Sequence, residues 1–64
     1  MVTINGETKE AAGKTVLEYL LEQGFTPDNV VVERNLEILP REQLGEVVLQ
    51  EEDSVEILRF VGGG

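Results

Sequence analysis

Thr15-Val16-Leu17-Glu18-Tyr19-Leu20-Leu21-Glu22-Gln23-Gly24-Phe25 is the one stretch of this sequence that reads as a helix with a signal at each end. Thr15 and Glu18 fit a capping box, in which each side chain binds the other residue's backbone N–H. Val16, Leu17, Leu20 and Leu21 fall at i, i+1, i+4 and i+5, the spacing of one helical face. Gly24 is placed for a left-handed stop, and Phe25 for the apolar contact with Leu20 that a Schellman ending brings. The predicted helix, about Val16 to Gln23, is too short to be stable alone. It must pack on something, and the rest of the chain offers only strands.

Upstream, Val2 and Ile4 alternate with Thr3 and Asn5, a strand pattern. Asn5-Gly6 then signals a tight hairpin, because a type I′ turn needs positive φ at both central residues. The return, Glu7 to Ala11, is mostly polar and suits an exposed sheet edge. Downstream, Thr26-Pro27-Asp28-Asn29 reads as a turn. Val30-Val31-Val32 reads as a strand, Asn35-Leu36 as a turn, and Glu37-Ile38-Leu39 as its continuation. Pro40 to Leu44 suits one helical turn, with Pro40 near its first position and Gly45 after it. Val47 and Leu49 suggest a short strand. Glu51-Glu52-Asp53-Ser54 is a polar turn, and Val55 to Val61 is the last strand.

Two hairpins flanking one helix, with a last strand returning to the sheet, predict an α+β chain with the β-grasp fold. The mixed sheet has four to five strands, the first and last lie parallel at its centre, and the helix packs on one face. Residues 1–61 form the domain and residues 62–64 a glycine tail. One helix covers one face only, so the other face is expected to be open. On the last strand Val55 and Ile57 point to the helix, and Leu58 and Phe60 point away. Val31, Leu58 and Phe60 are therefore candidates for an exposed apolar patch, the mark of a partner surface. Arg59 and Val61 are read as flanking that patch, with Arg59 available to an acidic group. The opposing reading is a central strand buried on both faces.

Composition narrows the chemistry. The chain has 64 residues with no cysteine and no histidine. That length fits one domain and buries only about 60% of its unfolded surface. Without cysteine there is no disulfide, zinc-thiolate site or iron–sulfur cluster. Without histidine there is no imidazole to act near neutral pH. Five basic against 13 acidic residues give a net charge of −8. Such a chain repels nucleic acid and anionic membranes and is drawn to basic protein surfaces. No apolar run is long enough to span a membrane, and the first residues do not read as a signal peptide. A cytoplasmic protein is expected.

No catalytic constellation emerges. Ser54 has no histidine partner, and nothing depresses the pKa of Lys9 or Lys14. Glu51, Glu52, Asp53 and Glu56 read as a solvated acidic turn, since the loop signature of a calcium site is missing. No bound metal or cofactor is expected. The run Gly62-Gly63-Gly64 opens no helix and so is no phosphate loop. Glycine lacks a Cβ, and a tail of it can thread a slot closed to other residues and present a terminal carboxylate at Gly64. The plainer alternative is a frayed end or a leftover linker.

The whole chain resembles the ThiS sulfur carriers of thiamin biosynthesis. The resemblance rests on Ile4-Asn5-Gly6-Glu7, on Thr15 to Leu21 and on Val30-Val31-Val32-Glu33-Arg34-Asn35. It continues through Glu37-Ile38-Leu39-Pro40-Arg41 and Asp53 to Gly64. The chain departs from the family at Asn35-Leu36 and Glu52-Asp53, where a glycine is usual. Positive φ at those turns would disfavour Leu36 or Glu52. The resemblance implies a ubiquitin-like β-grasp fold and a carrier rather than an enzyme. It implies that a ThiF-type adenylyltransferase, using ATP and magnesium, converts the Gly64 carboxylate to an acyl-adenylate, with Gly62 and Gly63 threaded into the partner's active site. A persulfide donor then displaces AMP, and the thiocarboxylate at Gly64 supplies sulfur to the thiazole synthase ThiG. A molybdopterin-type sulfur carrier and a ubiquitin-like modifier share fold and tail. An interaction module with an inert tail is the reading from another class.

Overall fold

A computed structural model describes residues 1–60. Its elements are β1 (Val2–Ile4), β2 (Glu7–Lys9), α1 (Val16–Glu22), β3 (Val30–Arg34), β4 (Glu37–Ile38) and β5 (Ser54–Arg59). Single 3-10 turns lie at Pro27–Asn29 and Arg41–Gln43. The sheet has five strands in the order β2-β1-β5-β3-β4. β5 lies parallel to β1, pairing Thr3 with Ser54, and antiparallel to β3, pairing Val31 with Leu58. This is the expected β-grasp arrangement, with the first and last strands adjacent at the centre.

Both ends of α1 form as the sequence predicts. Thr15 and Glu18 make the full capping box. The Phe25 N–H donates to the Leu20 carbonyl at 2.9 Å and the Gly24 N–H to that of Leu21 at 3.2 Å. Those two bonds define a Schellman ending, with Gly24 at φ 83°. The buried stripe differs from the expected one. Val16, Tyr19 and Leu20 are buried, while Leu21 is 58% exposed and Leu17 half-buried. The helix is seated about its 16-19-20 line, which rotates Leu21 to solvent.

Three other expectations need correction. Val47 and Leu49 do not form a sheet strand. The segment instead crosses the helix N-terminus, where the Val16 and Leu17 N–H groups donate to the Val47 and Leu44 carbonyls. Its backbone also bonds Gly13 and Lys14 through Leu49, while the Val47 N–H donates back to the Gln43 carbonyl, and one isolated bridge joins Thr15 and Val48. Leu49 itself enters the core. Strand β2 stops at Lys9, and Ala11 turns into the core. The acidic turn is only partly solvated: Asp53 is 6% exposed.

Two asparagines do a job that the sequence reading missed. Each opens a hairpin turn at φ 52° and extends the ladder onto β5. The Asn5 side chain accepts from the Ile57 N–H at 2.8 Å and donates to its carbonyl at 3.3 Å. The Asn35 side chain accepts from the Ser54 N–H at 2.9 Å and donates to Asp53 Oδ1 at 3.0 Å. β5 is thus gripped from both neighbouring hairpins. The signal was an Asn at the same position of both turns.

The two unusual turn residues adopt the strained geometry. Leu36 has φ 72° and Glu52 φ 71°. A left-handed non-glycine residue costs about 1–2 kcal/mol, against about 0.5–1 kcal/mol of extra chain entropy for glycine. Leu36 is 90% exposed and has little packing to lose. Leu36→Gly should therefore stabilise the domain and raise its melting temperature by a few degrees, about 4 °C per half to one kcal/mol at this size. A fall in melting temperature would show that the Leu36 side chain contributes more than its turn geometry costs.

Candidate functional site

Strands β3 and β5 set the geometry of the open face. Side chains alternate across a strand, so Val55 and Ile57 enter the core beneath α1, while Glu56, Leu58 and Phe60 point the other way. Leu58 is 58% exposed and Phe60 43%. Val31, opposite Leu58, is half-buried. A strand buried on both faces is therefore excluded for β5. Ile38, 68% exposed, pairs with Glu33 and joins the same face from β4. The sequence reading missed Ile38 because a two-residue strand has no alternation to count.

Arg59 lies elsewhere. It pairs with the buried Val30 and so emerges on the helix side of the sheet. Its guanidinium stacks 4.8 Å from the centroid of the Phe25 ring, a cation–π contact. The expectation that Arg59 flanks the apolar patch is corrected: one step along a strand reverses the face. The neighbouring Phe60 N–H donates to the Asn29 carbonyl at 3.1 Å. These two contacts root the end of β5 on the connection between α1 and β3. Val61, Gly62, Gly63 and Gly64 lie outside the described residues.

Asp53 organises the start of the same strand. Burial alone would raise its pKa. That effect is outweighed by hydrogen bonds from the Gln50 backbone N–H, the Arg34 guanidinium and the Asn35 amide, which together hold the carboxyl below its usual range. The Gln50 and Arg34 contacts are both 2.8 Å. Among the described residues no group of three acidic side chains is arranged to hold a metal ion. No helix among them is long and apolar enough to cross a membrane.

The ThiS family profile matches residues 2–64. The chain belongs to the ThiS family. It is 39% identical over 67 residues to the sulfur carrier protein ThiS of Bacillus subtilis, covering 100% of both chains. It matches the crystal structure of a thiamine biosynthesis protein, ThiS, from Geobacter metallireducens with a TM-score of 0.75 and 34% identity, covering 98% of this chain and 97% of that one. It is also 47% identical over 64 residues to a thiazole synthase from Magnetococcus marinus, of which it spans only 20%. Fold and family thus agree with the ThiS resemblance that the sequence carries.

Proposed function

We propose that this ThiS-family chain carries sulfur as a thiocarboxylate on the Gly64 carbonyl carbon and delivers it for thiazole formation. The observation that carries the reading is the family match, which continues through the glycine run to residue 64. A carboxylate is a poor electrophile because it is anionic at neutral pH. A ThiF-type adenylyltransferase with ATP and magnesium converts it to a mixed anhydride, releasing pyrophosphate. The terminal sulfur of a persulfide donor displaces AMP, and a thiol reduces the remaining S–S bond. Catalysis then belongs to the partners, and the chain itself needs no acid, base or nucleophile. The consumer is a thiazole synthase of the ThiG type. Supporting this, a Magnetococcus marinus thiazole synthase contains a stretch 47% identical to this chain. Val31, Leu58 and Phe60 form the docking face, with Gly62 and Gly63 passing into the partner's active site.

The test is the mass of the intact chain after incubation with a ThiF-type enzyme, ATP, magnesium and a sulfur donor. Sulfur-for-oxygen exchange and oxidation of Met1 give nearly equal gains, so the change must be localised. Trypsin cuts after Arg59 and releases Phe60 to Gly64. A gain on that peptide is the expected result. No gain with an enzyme active on another carrier would overturn the reading.

The docking face has its own test. Leu58→Asp should cost the domain no more than about 1 kcal/mol, as exposed strand substitutions do. It should weaken association with the adenylyltransferase at least tenfold. If the variant chiefly unfolds, Leu58 is a packing residue and the docking face is misassigned.

A further inference from the structure

All five basic side chains of this chain are committed away from the open sheet face. Lys9 pairs with Glu7, Lys14 with Glu22, Arg34 with Asp53 and Arg41 with Asp28, and Arg59 lies over Phe25. Yet the middle of the open face holds two carboxylates side by side. Glu33 of β3 stands directly opposite Glu56 of β5. Directly opposed side chains have Cβ atoms about 4.5–5.5 Å apart, and like charges there destabilise a sheet. Among the described residues neither glutamate enters an ion pair. Apolar groups flank them on one side: Ile38 is the next residue across from Glu33, and Val31 with Leu58 forms the next rung on that face, while Ser54 and Thr3 lie on the other side of Glu56.

Nothing in the fold requires this arrangement, and glutamate is a poor strand former. What the pair does offer is a doubly negative seat at the border of an apolar strip. A guanidinium matches it. The group is planar, always charged, forks to two acceptors and lays its stem on apolar surface. We propose that Glu33 and Glu56 together receive one arginine side chain of the protein that docks on this face, with its aliphatic stem lying along Val31, Ile38 and Leu58. The choice of that protein as the activating enzyme rests on the carrier reading above.

The experiment compares wild type with the double variant E33Q/E56Q, using a ThiF-type adenylyltransferase as the probe. The variant should melt slightly higher than wild type, because the repulsion is gone. It should bind the enzyme at least tenfold more weakly, with a shallower dependence on salt. An arginine-to-alanine scan of the enzyme surface should find one position that weakens wild type by a similar factor and leaves E33Q/E56Q unchanged. A variant that binds as tightly as wild type, whatever its melting temperature, overturns the seat and leaves the carrier reading standing. Wild type that binds but gains no sulfur overturns the carrier reading and leaves the seat standing. Wild type that does not bind overturns both.

Discussion

Asp53→Ala should remove a large share of the domain's stability at 25 °C. A chain of this length has about 3–10 kcal/mol of stability in all, at about 0.05–0.15 kcal/mol per residue. The Asp53 carboxylate is 6% exposed and accepts from the Gln50 N–H, the Arg34 guanidinium and the Asn35 amide. The Arg34 side chain is 27% exposed, so water can reach the charge left behind, and the loss is set by the unsatisfied donors at about 1–3 kcal/mol. Two further donors lose their acceptor at the same time. Asp53→Asn keeps the volume and one acceptor oxygen and should fall between wild type and alanine. Urea melts followed by far-UV circular dichroism measure all three. Loss of less than about 1 kcal/mol on Asp53→Ala would mean that water replaces the carboxylate without strain.

The same group sets a pH dependence. Its folded pKa is depressed, so the folded state holds the charged form more strongly than the unfolded chain does. The contribution is complete above the unfolded carboxylate value and is lost as pH falls through the lower, folded value. The stability gap between wild type and Asp53→Ala should therefore be constant near neutral pH and narrow below about pH 4. A gap that widens in acid would contradict the sign.

Gly63→Val should abolish sulfur loading without unfolding the domain. Valine adds a branched Cβ where the proposed tail must pass a partner's narrow channel. A misplacement of about 1 Å at a reacting group can cost about 100-fold in rate, and a blocked channel costs more. The buried core is drawn from residues between Val2 and Ile57, so the melting temperature should not move. The readouts are pyrophosphate exchange with the ThiF-type enzyme, thiocarboxylate on the tryptic peptide, and a thermal melt. Gly63→Ala should lie in between. Normal adenylation of the valine variant would rule out a channel that admits only glycine.

Local signals carried much of the fold. The capping box at Thr15 and Glu18, the Schellman ending at Gly24 and the Asn5-Gly6 turn depend on neighbours in the chain, so spacing alone identifies them. The ThiS resemblance was equally legible, because it lies in the order of short motifs along the whole chain. The outward faces of Leu58 and Phe60 followed from alternation once one helix was counted against one sheet.

What the sequence determined by itself, then, was the helix, the strands other than the misread Val47–Leu49 segment, how the helix and the first hairpin end, and which family they spell. Only the tertiary structure decided where Arg59, Asp53, Glu33 and Glu56 meet other groups. Arg59 finds Phe25 across 34 residues of chain, and Asp53 finds Arg34 across 19. Glu33 meets Glu56 through the register of β3 on β5. Register depends on pairing between distant strands, and a shift of one residue would turn every side chain to the other face. No local pattern encodes that choice. It is set by the shared burial of Val32, Val55 and Ile57 beneath one helix, which is a property of the assembled core.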